Sequence, residues 1–176
     1  MQIAAQHPPK TVLEVYRMLP EGTRAELIKG NLFMPPAHTL GHQSVIFELT
    51  GQFNNYINME NNGNVFVAPI DVYLNQKNVV QPDIVFVSNE RKSILKEDGI
   101  YGPPDLVIEV LSPGTRKFDL DKKKKIYEKH AVKEYWVVDS KTKESLGHQL
   151  KNSKYILFKK ERGKLASALL KHTFKF

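Results

Sequence analysis

The 176 residues contain no cysteine. That excludes a disulfide scaffold and any thiolate metal site, and it suits a reducing compartment. Long apolar runs are also missing. No stretch approaches the roughly 20 residues that a membrane-spanning helix needs, and "MQIAAQHPPK" lacks the basic-then-apolar order of a secretion signal. The expectation is a cytoplasmic protein without a membrane partner. Acidic residues are in deficit, with 19 Asp and Glu against 26 Lys and Arg, a net charge of +7. A basic surface attracts polyanions, of which nucleic acid is the commonest in a cell. There is one tryptophan. No internal repeat or low-complexity linker is visible, and the length suits one domain with a real core. We therefore expect a flexible tail over residues 1–10 and a single domain over 11–176.

The patterning that is present gives an order of elements. "TVLE" (Thr11 to Glu14) has the hydroxyl and carboxylate of a capping box and should start a short helix, "VLEVYRML". "AELIKGNLFM" alternates around Lys29-Gly30 and predicts a hairpin. From His42 to Glu60, apolar residues recur at Val45, Ile46, Leu49, Phe53, Tyr56 and Ile57, which is helical periodicity stopped by "NNG". "NVFVAPIDVYL", "DIVFVS", "DLVIEVL" and "KEYWVVD" are β-rich, and the tail from about Leu146 alternates in the same manner. The sum is a mixed α/β domain with one central sheet.

Two carboxylates break this pattern. Asp83 opens "DIVFV", and Glu109 stands inside "DLVIEVL", an otherwise apolar run. A buried unpaired carboxylate is costly, so each needs a partner or a metal. Hard dications such as Mg²⁺ use one or two carboxylates with water and phosphate. If the two strands are neighbours, Asp83 and Glu109 can share one ion. The bland alternative is that Asp83 caps its strand and Glu109 pairs with a lysine. Downstream, "FDLDKKKKIYEKH" has helix-forming residues after the loop "SPG". Four consecutive lysines, 122 to 125, cover about 300° of a helix, so they cannot all face solvent if the helix packs on a sheet. Lys123 shares a face with Asp119 and Tyr127. It is the lysine expected to point toward Glu109. Solvated Asp119–Lys123 and Asp121–Lys125 pairs are the alternative.

Taken in order, "AELIKGNL", the helix-opening His42, "QPD", "IEVLSP", "D-x-x-x-K-x-x-x-Y" and "EYWVVD" resemble the Uma-type family of restriction-type endonucleases. That family lies within the PD-(D/E)XK nuclease superfamily, and the resemblance covers residues 24–140. It implies a restriction-endonuclease-like fold, with a central mixed β-sheet flanked by helices. The implied activity is metal-dependent hydrolysis of DNA phosphodiester bonds, with Mg²⁺ or Mn²⁺ as cofactor. Pro82-Asp83 matches the PD element and Glu109 the acidic position of (D/E)XK. Both are thereby implied as metal ligands, with the backbone carbonyl of Val110 as a third. Leu111 stands where the lysine belongs, and Lys123 on the following helix is the implied replacement. Glu26 matches a family acidic position facing the site, and His42 the family histidine, close to the phosphate or a water. Asp119, Tyr127, Tyr135, Trp136 and Val138 read as structural.

A homodimer would supply the two sites that cutting both strands needs, by analogy. The displaced lysine keeps a second reading open, a catalytically inactive DNA-binding protein on the same fold. A third reading makes the carboxylates purely structural in a protein that acts through partner or dimer contacts, and Asp83→Ala should then destabilise the fold without metal dependence. Under the nuclease reading, Asp83→Ala should stabilise the metal-free protein by relieving repulsion between carboxylates. His38 and His42 have i,i+4 spacing, but "HTLGH" lacks the glutamate of HExxH, so no zinc site is expected there.

Overall fold

A computed structural model describes residues 8–111 and 118–176 of the chain. Most of the anticipated tail, residues 1–7, and the "SPG" loop lie outside the described residues. So do the side chain of Asp119 and the pairing expected of it.

The first helix, α1 (Val12–Arg17), starts where the capping box predicts. The Thr11 side chain accepts the Glu14 N–H at 3.2 Å. Glu14 reaches back one residue further than a capping box does, accepting the Lys10 N–H at 2.6 Å. Strands β1 (Glu26–Ile28) and β2 (Asn31–Phe33) form the anticipated hairpin. Lys29 and Gly30 both have positive φ, 52° and 79°, as a two-residue turn of the twist-matching type demands. Helix α2 (Leu40–Glu60) is capped by the Thr39 hydroxyl and ends at Asn61 in the left-handed conformation. Its buried stripe is His42, Val45, Leu49, Phe53 and Ile57.

Then come β3 (Gly63–Val67), β4 (Val72–Asn75), β5 (Asn78–Val80), β6 (Ile84–Ser88), β7 (Leu95–Lys96), β8 (Gly99–Tyr101) and β9 (Leu106–Leu111). Phe118–Lys123 form a π-helical turn that runs into α3 (Lys124–Lys129). The chain closes with β10 (Glu134–Asp139), β11 (Glu144–Lys151), β12 (Lys154–Arg162), β13 (Lys164–Ser167) and β14 (His172–Lys175). Among the described residues no helix is long and apolar enough to cross a membrane.

The central sheet is mixed, in the order β12-β11-β10-β9-β6-β3, with β9 and β10 parallel and the other pairs antiparallel. A second six-stranded sheet, β2-β1-β5-β4-β8-β7, was not anticipated, because "NVFVAPIDVYL" divides at Pro69 between the two sheets. A two-stranded unit, β13-β14, completes the fold.

The inner strands β6, β9 and β10 are buried on both faces, which explains their near-continuous apolar runs. Period-2 alternation assigns the faces. Ile84, Phe86, Leu106, Ile108, Val110, Trp136 and Val138 meet α2 and the β13-β14 unit. Val85, Val87, Val107, Leu111, Tyr135 and Val137 meet the second sheet together with Ile126 and Tyr127 of α3. On the α2 side Trp136 stands opposite Gly147, with its indole close against the glycine. A Cβ at that glycine would sit 2.6 and 2.7 Å from indole carbons.

Candidate active site

The alternation that builds the core also fixes the acidic residues. In β9, Glu109 shares a face with Val107 and Leu111, so it points toward the second sheet and α3. Asp83 stands one residue before β6. The β6–β9 register, Ile84 opposite Ile108 and Val85 opposite Val107, places it across from Glu109. Asp83 is 4% exposed and Glu109 3%. Both border a cavity of about 230 Å³, which Arg24, Glu26, Met34, His38 and Lys123 also line.

The lysine run divides as its helical geometry requires. Lys122 and Lys125 are exposed, and Lys123 is buried. Its ammonium lies 2.8 Å from Glu26 Oε1 and 3.1 Å from Glu109 Oε1. The Tyr127 hydroxyl donates to the same Glu109 oxygen at 2.6 Å. Burial, then the charges of Glu109 and Glu26, hold the Tyr127 phenol well above its ordinary pKa, so it stays a donor. Lys123 and Tyr127 thus reach one carboxylate, Lys123 from the last position of the π-helical turn and Tyr127 from the helix after it. Glu26 is held in turn by the Gln81 N–H, which donates to its Oε1 at 2.8 Å.

Asp83 forms the other half of the site. Its Oδ2 accepts the Val110 N–H at 2.7 Å, tying the start of β6 to the end of β9. His42 Nε2 lies 3.2 Å from Oδ2, and His38 Nε2 lies 3.4 Å from Oδ1. The two imidazoles stack 3.6 Å apart at 11°. Arg24 donates to His38 Nε2 at 2.7 Å and to the Pro36 carbonyl at 2.9 Å. Burial lowers the His38 pKa to about 4, outweighing the opposing pull of the Asp83 charge.

The residues singled out from sequence therefore divide into two groups, and all of them but His42 line one cavity. Glu26, Glu109 and Lys123 meet directly. Asp83, His42 and the backbone of Val110 form the second group. Three contributors were missed. Tyr127 reads as core, and it is core, but its hydroxyl reaches Glu109. His38 and Arg24 carry no chemical pattern of their own, although the His38–His42 spacing was visible.

Among the described residues, His38, His42 and Asp83 form a group whose ligating atoms all lie within 4.8 Å of one another. The buried carboxylates offer hard oxygen donors of the kind Mg²⁺ and Mn²⁺ take. Among the described residues, fully buried His42 has no hydrogen-bond partner for either ring nitrogen. The donor set fits a divalent cation.

A family model described as "Putative restriction endonuclease", Uma2, matches residues 12–171. This chain belongs to the Uma2 family. Its fold is similar to the crystal structure of "a putative nuclease belonging to DUF820" from Anabaena variabilis. That likeness has a TM-score of 0.71 and 19% identity, and covers 85% of this chain and 84% of the other. No functionally curated protein matches this Uma2 chain.

Proposed function

We propose that the protein is a divalent-metal-dependent DNA endonuclease that hydrolyses phosphodiester bonds. The observation that carries this reading is the facing pair of buried carboxylates, Asp83 and Glu109, on one cavity, with Lys123 delivered to Glu109 from the following helix. Family membership and the fold of the Anabaena protein support the same activity.

Asp83, Glu109 and the Val110 carbonyl would hold Mg²⁺ or Mn²⁺. A dication bound there would lower the pKa of a water and offset charge building on the phosphate. Other roles belong to the chain itself. Lys123 compensates the carboxylates and presents an ammonium donor beside the cavity, where it can orient the attacking water or stabilise developing charge. Glu26 fixes that ammonium from the opposite side, and Tyr127 fixes Glu109. Lys123 therefore takes the place of the motif lysine that Leu111 displaces. The net charge of +7 favours the DNA backbone and makes binding salt-sensitive.

Supercoiled plasmid is incubated with the protein and Mg²⁺ or Mn²⁺, with EDTA, Asp83→Asn and Glu109→Gln alongside. The expected result is metal-dependent nicking lost in both variants. DNA binding without cleavage under either metal would overturn the nuclease reading and leave a non-catalytic DNA binder.

A further inference from the structure

We propose that His38, His42 and Asp83 form a binding position for a borderline transition-metal dication such as Co²⁺ or Zn²⁺. It differs in donor chemistry from the all-oxygen position above. It shares Asp83 with the nuclease reading, but its test reads binding and stands apart from cleavage.

Three observations lead there. His42 is fully buried at the head of an apolar helical stripe, and among the described residues neither ring nitrogen has a hydrogen-bond partner. A buried histidine kept for structure is normally satisfied. Its Nε2 lies 3.2 Å from Asp83 Oδ2 without hydrogen-bond alignment. His38 Nε2 accepts from Arg24, and a guanidinium has no acceptor, so that nitrogen carries a lone pair. The lone pair stands 3.4 Å from Asp83 Oδ1. Two lone-pair atoms facing each other need a cation near them, and the Arg24 guanidinium now supplies it.

Two imidazoles and one carboxylate are donors for zinc and cobalt, whereas Mg²⁺ takes oxygen ligands. The Thr39 cap fixes the first turn of α2 by accepting the His42 N–H, so the His42 ring is carried on a rigid element. The parallel stack must open for both nitrogens to meet one ion, and Arg24 must leave His38. Arg24 is thus a competitor built into the position, which gives the proposal its most specific test.

Metal-free protein is titrated with Co²⁺, followed by calorimetry and by visible d–d absorption, with Zn²⁺ and Mg²⁺ as competitors. We expect one site with nitrogen-bearing spectra, displaced by Zn²⁺ and not by equal Mg²⁺. His38→Gln and His42→Gln should each weaken Co²⁺ binding about tenfold or more, of the order that supporting-ligand losses cost. Arg24→Met should tighten it. Unchanged affinity in folded His38→Gln and His42→Gln, or displacement by Mg²⁺ as readily as by Zn²⁺, overturns the proposal. If the histidine variants do not fold, unchanged or weaker binding in Arg24→Met overturns it alone. Co²⁺ binding in a protein that never nicks plasmid would refute the nuclease reading and leave this site standing.

Discussion

Replacing Lys123 by Met tests the charge architecture of the site directly. Methionine keeps the length of the side chain and removes only the ammonium. That ammonium lies 2.8 Å from Glu26 and 3.1 Å from Glu109. At an effective dielectric of about 20, each attraction is worth about 5–6 kcal/mol before desolvation. Desolvation of three buried charges cancels much of this. Breaking a buried pair by deleting one partner still costs about 3–5 kcal/mol, because the remaining charge is stranded. Lys123→Met takes the ammonium from two carboxylates at once, so we expect a loss at or above the middle of that range. The assay is urea unfolding at neutral pH, followed by the fluorescence of Trp136, the sole and fully buried tryptophan. Adding Glu26→Gln and Glu109→Gln to Lys123→Met should restore most of the stability, since no charge is then left uncompensated. A loss below about 1 kcal/mol, or a triple variant no more stable than Lys123→Met, would refute this account.

Three further outcomes follow from other contacts. Asp83→Ala should destabilise the metal-free protein by about 1–3 kcal/mol, because it leaves the Val110 N–H without its 2.7 Å acceptor. This reverses the stabilisation expected from charge relief alone, and Asp83→Asn, which keeps an acceptor, should recover part of it in urea melts with EDTA. His148 is buried against Tyr135, and its pKa is lowered to about 4 by burial and then by the Lys124 charge. The unfolded chain takes up that proton first, so about 3 kcal/mol of stability present above pH 6.5 should drain away toward pH 4. His148→Gln should flatten this acid slope in melts across that window. Gly147→Ala should cost about 1–3 kcal/mol by overpacking against the indole and the Phe158 ring. A double-mutant cycle with Trp136→Phe, read by circular dichroism, should show positive coupling between the two positions.

Local signals in the chain were mostly truthful. Thr11 caps its helix, Lys29-Gly30 turns its hairpin, and Val45, Leu49, Phe53 and Ile57 form the buried stripe they outline. Each depends on residues a few positions apart, where period and capping chemistry act. The division of Lys122 to Lys125 into exposed and buried members was legible for the same reason. The second sheet was not legible, because β5, β7 and β8 have two or three residues and no period can show in so few. The π-helical turn before Lys124 also escaped, since its sequence satisfies the ordinary helical period equally well. Within the site, Asp83, Glu109 and Lys123 stood out as charges in apolar surroundings. His38 and Arg24 did not, because their meaning depends on Asp83, brought beside them only by the fold.

The seat of Trp136 on Gly147 bears on how variation in this chain should be read. Glycine is usually explained by its own backbone freedom, yet Gly147 lies in a strand and shows no positive φ. What it contributes is an absence, the volume of one methyl group, which the indole of Trp136 and the ring of Phe158 close off together. The three residues are one shape divided among three neighbouring strands. Drift at 147 should be channelled by both rings: a smaller ring at 136 alone still leaves Phe158 on the same space, and until both give way 147 is frozen for reasons written elsewhere in the chain.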